Sequence, residues 1–321
     1  VTVDHNGKPL YRFFTGSSWE ESASGATVDV YNPTNREILG YVPAVTKEQI
    51  DRVLETLRNH QTAWEQTPLS VRIEILQKAA RILRESEGFF TSLLVDEIGK
   101  TKAEAKSEVL RSADLIDYYT REVVGIVGEY RDSDSFPGFP KGRLALVDHA
   151  ARGVILSIAP FNYPVNLAVS KIAPALLMGN AVICKPPTQG SLSGLAMTKV
   201  FLDAGVPEGV LACVTGKGSE IGDYLVSHKG VSMIAFTGSS ETGAHIAKTA
   251  SMIPFLFECG GNNPVLVCDD GDIELAAKEI VKGAFSYSGQ RCTGIKYVLV
   301  RQETANVLIP AVLKAMDSMV S

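Results

Sequence analysis

The sequence predicts an α/β protein built around a parallel sheet that helices cover on both faces. Four short and nearly continuous apolar runs follow Gly153, and segments with helical periodicity separate them. Buried parallel strands joined by crossover helices produce this alternation, and their ligands bind at the carboxyl ends of the strands. The predicted strands are residues 154–158, 181–184, 210–214 and 231–236.

The N-terminal part predicts strands and turns followed by a helical block. Up to Gly40, short apolar runs alternate with glycine and proline, a pattern typical of strands and turns. A capping box at Thr46–Gln49 and a proline at position 68 mark two helix starts. The three predicted helices begin at Thr46, run from Pro68 to Gly88, and run from Glu104 to about Val127. A loop over residues 132–142 and a strand over residues 143–149 complete this part.

Composition and charge narrow the class of protein. The 321 residues are long for one small core, so two domains are expected. The net charge is −5 and the basic residues are scattered, which argues against a nucleic acid or an anionic membrane as partner. The five cysteines include no C-x-x-C pair, so we expect a reducing cytoplasm and neither a disulfide framework nor a metal site. We also expect no signal peptide and no membrane span.

A carboxylate and a thiol are candidates for a catalytic base and a nucleophile. Glu258 follows the apolar run Pro254–Phe257, and a strand there would surround the carboxylate with apolar neighbours that make it a usable base. Cys292 follows Arg291, and a neighbouring cation favours the reactive thiolate. Taken singly, a cysteine is more often a small buried apolar residue, and a strand-end carboxylate is more often a surface group.

The ends of the predicted parallel strands are candidates for a nucleotide site. Glycine and polar residues end each run, and Ser239 begins a further helix whose free N–H groups suit a pyrophosphate. Gly238 and Gly243 do not form a G-x-G-x-x-G motif, so a simple turn and helix cap is the alternative. Lys185 is either a ribose or phosphate contact or a surface lysine at a strand end.

Five motifs in chain order resemble the aldehyde dehydrogenase superfamily. They are PFNYPVN at 160–166, KPPTQG at 185–190, FTGS at 236–239, ECGGNNP at 258–264 and YSGQRCT at 287–293. The longer stretches around them are most similar to the NADP-dependent, non-phosphorylating glyceraldehyde-3-phosphate dehydrogenase branch of that family. The resemblance implies a Rossmann-type parallel sheet for the cofactor, with an N-terminal helical block and a strand arm. It also implies a cofactor-binding domain over residues 1–258 and the beginning of a catalytic domain over residues 259–321.

The resemblance implies catalytic roles for three residues. In that family the cysteine matching Cys292 is the nucleophile, the glutamate matching Glu258 activates the hydrolytic water, and the asparagine matching Asn162 helps to form the oxyanion hole. Taken alone, Asn162 would more often be a turn residue. The implied reaction, a step of glycolysis, oxidises D-glyceraldehyde 3-phosphate to 3-phosphoglycerate through a thiohemiacetal and a thioester.

NADP is the implied cofactor and hydride acceptor. The turn after Cys184 reads Lys-Pro-Pro-Thr, where many NAD-preferring relatives carry a glutamate. The implied cofactor contacts are Pro160, Phe161, Lys185, Thr188, Gly218, Phe236, Thr237, Gly238, Ser239, Gly243, Cys259 and Gly260. The implied contacts of the substrate phosphate, which arginine suits because its planar fork donates in pairs, are Arg111, Tyr163, Arg291 and Thr293. Taken singly, Arg111 would be a solvated residue on a helix face.

The resemblance also carries expectations about assembly and length. The family continues well beyond position 321, so the chain is expected to lack a C-terminal portion. The full-length form is expected to be a homodimer or homotetramer, with the strand at 143–149 in an oligomerisation arm. Two alternatives stay open: an aldehyde dehydrogenase for another small aldehyde, and an inactive remnant that binds the cofactor. The chain departs from the family pattern at Cys259, where leucine is usual, and at Asn262–Asn263.

Overall fold

The computed structural model describes residues 2–5, 7–126, 128–133, 137–138 and 142–319. These residues form two compact units. The larger unit contains the chain up to Thr237 together with Ala244–Phe257, and the smaller unit contains Gly238–Gly243 together with the chain from Glu258 onward.

Six strands and then four helices form the first part of the described chain, and strands alternate with helices over most of it from Val154 onward. The strands are β1 (Thr2–His5), β2 (Lys8–Tyr11), β3 (Phe13–Phe14), β4 (Trp19–Glu20), β5 (Thr27–Tyr31), β6 (Ile38–Pro43), β7 (Glu129–Asp132), β8 (Leu144–Val147), β9 (Val154–Ile158), β10 (Ala181–Lys185), β11 (Leu211–Cys213), β12 (Met233–Thr237), β13 (Phe255–Glu258), β14 (Asn263–Val267) and β15 (Ile295–Val300). The helices are α1 (Lys47–Glu65), α2 (Leu69–Glu85), α3 (Glu87–Ile98), α4 (Lys102–Glu122), α5 (Asn166–Leu177), α6 (Ser191–Ala204), α7 (Gly218–Ser227), α8 (Ser240–Thr249), α9 (Ile273–Phe285) and α10 (Gln302–Asp317).

The main sheet has the strand order β13-β12-β9-β10-β11-β3-β4. β9 pairs in parallel with both β10 and β12, and β10 pairs in parallel with β11. The chain therefore steps outward from β9 in one direction to β10 and β11 and then returns to its other side at β12. Such a reversal creates a crevice at the carboxyl ends of β9 and β12, and α/β proteins bind their ligands in a crevice of this kind. The predicted parallel strands and the α/β class are confirmed.

Two layers of helices cover the strands of the larger unit. α5 and α6 contact the sheet, and α2, α3 and α4 pack onto these two helices, while α1 packs on β9 and β10 and contacts α7. The core between these layers is apolar, with Leu76, Leu83, Phe90, Leu94 and Ile116 among its fully buried members. Burial of apolar surface at about 25 cal/mol per Å² is the main stabilising contribution here.

The helical block contains one more helix than the sequence analysis predicted, because most of α3 lies between Gly88 and Glu104, where no helix was predicted. The second helix was predicted to end at Gly88, but α2 ends at Glu85 and α3 begins at Glu87. Ser86 is both the C-cap of α2 and the N-cap of α3, so this one residue separates the two helices. The apolar pattern of the sequence continues almost unbroken across it. Gly88 lies inside the first turn of α3, where a glycine is tolerated at a cost of about 1 kcal/mol relative to alanine.

An antiparallel pair of exposed strands follows the helical block. β7 pairs with β8, and every residue of both strands is exposed. β8 falls within the predicted strand at 143–149, whereas the sequence did not predict β7. Most of the loop predicted over 132–142 lies outside the described residues, as does the predicted helix end at 127.

The smaller unit is organised around two parallel strands. β14 pairs with β15, α9 joins them, and α10 follows. Val267, Ala277, Ile280 and Leu308 form its buried core. Asp272 begins α9 by accepting a hydrogen bond from the Leu275 N–H at 2.9 Å.

Gly190 should be irreplaceable where the turn after β10 meets α6. Its φ is +124°, and an added Cβ would lie 2.8 Å from Pro187 Cγ and 3.1 Å from Pro164 Cβ. We expect Gly190→Ala to lower the free energy of unfolding by about 1–3 kcal/mol through backbone strain and crowding. The matched control is Gly222→Ala inside α7, where nothing lies within 4 Å of the new Cβ and stability should rise by up to about 1 kcal/mol. Urea denaturation of both variants decides this, and equal stabilities would contradict the prediction.

Candidate active site

The strand register places several predicted ligand contacts along one edge of the main sheet. Ile158 pairs with Lys185 on β10 and with Phe236 on β12. The segments that leave the sheet at this edge are the turn after β9, the Lys185–Thr188 turn after β10, and Thr237 at the end of β12. The register thus places Lys185 and Phe236 on either side of Ile158. The other predicted cofactor contacts of this edge lie within three residues of a strand end and are Pro160, Phe161, Thr188 and Thr237.

A buried carboxylate caps the helix that follows the turn after β9. Glu108 of α4 is 2% exposed, and its Oε1 accepts hydrogen bonds from the backbone N–H groups of Val165 at 2.9 Å and Asn166 at 3.0 Å. These N–H groups belong to the first turn of α5, where they have no partner within the helix. The partial positive charge of the helix N-terminus favours an anion at this position. Glu108 therefore occupies the anion-binding end of α5.

A second buried carboxylate caps the helix that follows β10. Glu97 at the end of α3 accepts the N–H groups of Leu192 at 2.7 Å and Ser193 at 2.9 Å, and the Ser193 hydroxyl at 2.5 Å. Burial raises the pKa of Glu97, and the hydroxyl and backbone donors oppose that rise. Glu97 therefore occupies the N-terminus of α6 in the same way that Glu108 occupies that of α5.

The turn that carries Lys185 and Thr188 is fixed by hydrogen bonds. The Ser191 hydroxyl donates to the carbonyl groups of Pro187 at 2.9 Å and Thr188 at 3.1 Å. Lys185 is 6% exposed, and its Nζ donates to the Pro186 carbonyl at 3.1 Å. Burial lowers the pKa of Lys185. Lys185 is therefore a buried strand-end lysine, and the alternative of a surface lysine is wrong.

Asn162 and Tyr163 lie half-buried in the turn between β9 and α5. The Tyr163 carbonyl accepts the Leu167 N–H at 3.0 Å, which joins this residue to the first turn of α5. The Lys100 Nζ lies 4.5 Å from the centre of the Tyr163 ring. Arg111, predicted to contact a phosphate, lies exposed on α4, one turn beyond Glu108.

Helix α7 begins without a side-chain cap. Its N-cap residue, Lys217, makes no capping hydrogen bond with its side chain, and Lys217 and Gly218 are both exposed. Lys217 instead approaches Glu220, with 3.4 Å between the Nζ and a carboxylate oxygen. The predicted cofactor contact Gly218 is thus the first residue of a helix whose first turn is exposed.

In the smaller unit, the residues that begin α8 are also exposed. Ser239 caps this helix, because its Oγ accepts the Thr242 N–H at 3.1 Å and its carbonyl accepts the Gly243 N–H at 3.0 Å. The Gly238 N–H donates to the Glu258 carbonyl at 3.1 Å. The Ser239 side chain is exposed, so this helix N-terminus is accessible to an anion.

The candidate nucleophile is exposed and its backbone is held in place. Cys292 lies in the loop before β15. The Asn263 Nδ2 donates to the carbonyl groups of Cys292 at 2.7 Å and Gly294 at 3.0 Å. A Cβ on Gly261 would lie 3.0 Å from the Cys292 carbonyl oxygen, so glycine permits this close approach. Asn263 and Gly261 fix the Cys292 backbone at the amino ends of β14 and β15.

The backbone just before Cys292 is strained. Tyr287 and Ser288 have φ angles of 58° and 51°, and Gly289 continues in the left-handed region at 71°. Two consecutive non-glycine residues in this region cost of order 1–3 kcal/mol each and cluster at functional sites. Arg291 donates from Nη1 to the Ser286 Oγ at 2.8 Å, which spans the strained segment.

Glu258 and its neighbours lie at the end of β13. Glu258 and Gly260 are exposed, and Cys259 is half-buried. The expectation that apolar neighbours would desolvate the Glu258 carboxylate is not met in this chain, because β13 lies at the edge of the main sheet and three of its four residues, Phe255, Leu256 and Glu258, are exposed. Thr293, next to Cys292, is exposed as well.

Sequence reasoning missed four residues that shape these segments: Glu97, Lys100, Glu108 and Asn263. A signal was present for Glu108, because it falls on the buried stripe of α4 that Ala105, Val109 and Ile116 define. A carboxylate on such a stripe must find donors. Asn263 offered no comparable signal, since an Asn beside a Pro is common in turns.

Metal binding and membrane insertion have no support in the described part of the chain. Within those ranges, no group of three or more His, Cys, Asp or Glu side chains is arranged to hold a metal ion. Over the same residues, every helix is too short or too polar to cross a bilayer.

Comparison with known proteins assigns the chain to a family. Residues 19–321 match the profile of the aldehyde dehydrogenase family. The chain belongs to the aldehyde dehydrogenase family. This aldehyde dehydrogenase domain is 48% identical over 314 residues to an NADP-dependent glyceraldehyde-3-phosphate dehydrogenase of Nicotiana plumbaginifolia, a match that covers 97% of this chain and 63% of the relative. An enzyme of the same name from Streptococcus equinus is 43% identical over 302 residues, covering 94% of this chain and 63% of the relative.

A solved structure has the same fold. The NADP-dependent glyceraldehyde-3-phosphate dehydrogenase of Bacillus halodurans, crystallised with NADP, superposes with a TM-score of 0.94 at 42% identity. The match covers 96% of this chain and 65% of that structure. This aldehyde dehydrogenase chain thus spans less than two thirds of the length of the relatives named here.

The raised pKa of Glu97 predicts how stability changes with pH. The native carboxyl binds its proton more tightly than the unfolded one, so the wild type loses stability as pH rises from the ordinary value of 4.5 toward the raised native value. The amide that replaces this carboxyl in the Glu97→Gln variant does not titrate. We expect the stability difference between wild type and Glu97→Gln to shrink as pH rises from about 4.5 to about 8. Urea denaturation across this range measures it, and a difference that grows with pH would contradict the prediction.

Proposed function

We propose that this chain carries the cofactor- and thiol-bearing part of an NADP-dependent, non-phosphorylating aldehyde dehydrogenase that acts on D-glyceraldehyde 3-phosphate. The observation that supports this most strongly is the match over nearly the whole chain to relatives with that name. The held backbone and exposed side chain of Cys292 agree with a nucleophilic role. Residues 1–258 are proposed as the cofactor-binding domain and 259–321 as the beginning of the catalytic domain.

The proposed chemistry begins with the Cys292 thiolate. Its sulfur forms a bond to the aldehyde carbon, and the carbonyl oxygen takes up the displaced electron pair as an alkoxide. The Asn162 amide and the Cys292 backbone N–H stabilise this oxyanion, a contribution that typically changes rates by about 10²–10³-fold per donor. The hydrogen bonds that the Asn263 amide donates to the Cys292 and Gly294 carbonyl groups hold the backbone that presents this N–H.

NADP+, when bound, would supply the acceptor for the hydride that leaves the former aldehyde carbon with its bonding pair. As the hydride leaves, the alkoxide oxygen re-forms its double bond to that carbon, which leaves a thioester on Cys292. The starts of α7 and α8 are proposed to hold its phosphates, because the residues that begin both helices are exposed and a helix N-terminus favours an anion. Gly218 and Ser239 are the contacts there, with Gly238 and Gly243 shaping the α8 start. Lys185 and Thr188 are proposed to hold the 2′-phosphate of the cofactor. The Lys185 Nζ must then give up its hydrogen bond to the Pro186 carbonyl in order to donate to that phosphate.

The remaining proposed cofactor contacts line the strand ends. They are Pro160, Phe161, Phe236, Thr237, Cys259 and Gly260. The substrate phosphate is proposed to bind Arg111, Tyr163, Arg291 and Thr293. Arginine suits this role because its paired donors match a phosphate.

Glu258 completes the proposed cycle. It accepts a proton from a water molecule, whose oxygen then attacks the Cys292 thioester. The carbon–sulfur bond breaks, the carboxylic acid leaves, and the Cys292 thiolate is restored. The exposure of Glu258 is consistent with access to water. Water and not inorganic phosphate cleaves the thioester, so the product is the free acid 3-phosphoglycerate rather than an acyl phosphate.

A cytoplasmic location and a homodimer or homotetramer of the full-length form are part of the proposal. The cysteines are consistent with a reducing compartment, since none of the five is in a disulfide. The exposed β7–β8 pair supports the assembly, because its apolar residues Leu144 and Leu146 are 63% and 80% exposed and would be covered by a partner.

The proposal predicts distinct defects for two variants. Cys292→Ala should abolish NADPH formation, whereas Glu258→Gln should release about one NADPH per chain and then turn over about 10²–10⁴-fold more slowly, because the thioester accumulates. Cys268→Ala, an exposed thiol elsewhere in the smaller unit, is the control and should keep wild-type rates. Rapid-mixing absorbance without added phosphate measures both phases.

Three results would overturn parts of this proposal. Equal rates for glyceraldehyde and its 3-phosphate would indicate another small aldehyde as substrate. Binding of NADP+ without turnover of any aldehyde by the wild-type chain would indicate an inactive cofactor-binding remnant. Full activity of Cys292→Ala would exclude the thioester route.

A further inference from the structure

A buried network joins α4 to the turn that carries Asn162 and Tyr163. The side chains of Glu108 and Lys100 are 0% and 2% exposed, and the Lys100 Nζ donates a hydrogen bond to the Glu108 Oε2. The other oxygen, Oε1, is the one that accepts the N–H groups of Val165 and Asn166. The carboxylate is therefore held on one side by a lysine and on the other by the first turn of α5.

Lys100 contacts the turn as well as the carboxylate. Its Nζ lies over the ring of Tyr163, close enough for a cation–π contact when the lysine is charged. Desolvation lowers the pKa of Lys100 to about 6, with the carboxylate of Glu104 opposing the shift. An amine and an ammonium both donate to a carboxylate, so the bond to Glu108 survives in either state.

Further hydrogen bonds make this connection rigid. The Asn166 Nδ2 donates to the Ser112 Oγ at 3.2 Å, and the Ser112 Oγ donates to the Glu108 carbonyl at 2.6 Å. The Tyr163 carbonyl accepts from Leu167 within the same helical turn. A shift of the first turn of α5 away from α4 would therefore move the backbone of Tyr163, and with it the adjacent Asn162.

We propose that Glu108 is a positioning residue for the Asn162–Tyr163 turn, and that Lys100 keeps its carboxylate directed at α5. The inference rests on the proposed function, in which Asn162 donates to the oxyanion and Tyr163 contacts the substrate phosphate. Glu108 acts through the reach of its Oε1 to two backbone N–H groups, and its charge has no direct part in the reaction. A displacement of about 1 Å in such a donor can reduce the rate by about 10²-fold.

Two variants distinguish the effect of the side-chain length at position 108 from the effect of its charge. Glu108→Asp keeps the charge but withdraws the carboxylate by one methylene group from α5. The double variant Lys100→Met/Glu108→Gln removes both ionisable groups but keeps an acceptor oxygen at the original reach and an unbranched side chain at position 100. Positioning predicts that kcat falls about 10–100-fold in Glu108→Asp, with the KM for NADP+ changed by less than about threefold, and that the double variant recovers most of the loss.

Glu97→Asp is the matched comparison, because Glu97 caps α6 with the same chemistry but next to the Lys185–Thr188 turn. It should raise the KM for NADP+ more than it lowers kcat. A merely structural role for both glutamates would give the two aspartate variants the same kinetic signature, and that result would overturn the inference. So would a Glu108→Asp enzyme with wild-type kcat, or a double variant as slow as Glu108→Asp.

Amide hydrogen exchange tests the inference without turnover. In Glu108→Asp, peptides covering residues 160–167 should exchange faster than in the wild type, and peptides covering 186–193 should not; Glu97→Asp should show the reverse. If the wild-type chain forms no NADPH, the proposed function fails while this readout still decides the positioning role. If Glu108→Asp does not fold, the double variant decides alone: unchanged exchange over 160–167 supports the inference, and faster exchange there overturns it.

Discussion

The arrangement of the larger unit depends on two buried carboxylates that fill helix N-termini. Glu108 and Glu97 come from the helical layer that packs on α5 and α6, and each accepts two backbone N–H groups of the helix beneath it. An isolated buried carboxylate is costly, but backbone donors and the helix dipole offset that cost. Each contact also fixes a turn at the carboxyl edge of the main sheet. The same hydrogen bonds therefore join the helical layer to α5 and α6 and fix the turns of the candidate site.

This arrangement decides which helix N-termini remain available to a ligand. A parallel sheet of this kind presents a helix N-terminus after each strand, and every one could hold a phosphate. Here the chain's own carboxylates occupy those of α5 and α6, while α7 begins exposed and uncapped by its Lys217 side chain. In the smaller unit, only a serine hydroxyl caps the exposed start of α8. The helix N-termini are thus already divided into occupied and open ones, in a chain whose Gly238 and Gly243 form no G-x-G-x-x-G motif.

The sequence predicted the sheet well because buried parallel strands leave a strong pattern. The four apolar runs after Gly153 became β9 to β12, with boundaries within two residues of those predicted. The exposed strand β7 was missed, since none of its residues is buried and no alternation marks it. Helix α3 was missed and the end of α2 was placed three residues late, because α3 begins without a side-chain capping hydrogen bond and one serine separates the two helices. Apolar patterns in a sequence indicate which residues are buried, so an element without a buried face is not predicted from them.

The site residues could not be predicted from such patterns. Composition and spacing alone left Cys292, Glu258 and Asn162 as ordinary residues, and only the resemblance of five motifs singled them out. The supporting residues escaped both approaches, because a buried glutamate looks the same in sequence as a surface one. Glu108 is recognisable only from its place on the buried stripe of α4, and Asn263 only from the two carbonyl groups that it contacts.

The most direct test of this account is amide hydrogen exchange of the wild-type chain with and without saturating NADP+. Slower exchange on binding is expected at residues 218–219 and 239–241, at the exposed starts of α7 and α8, and no change is expected at residues 165–166 and 192–193, whose N–H groups already donate to carboxylates. Protection of residues 165–166 or 192–193 without protection of 239–241 would contradict this expectation.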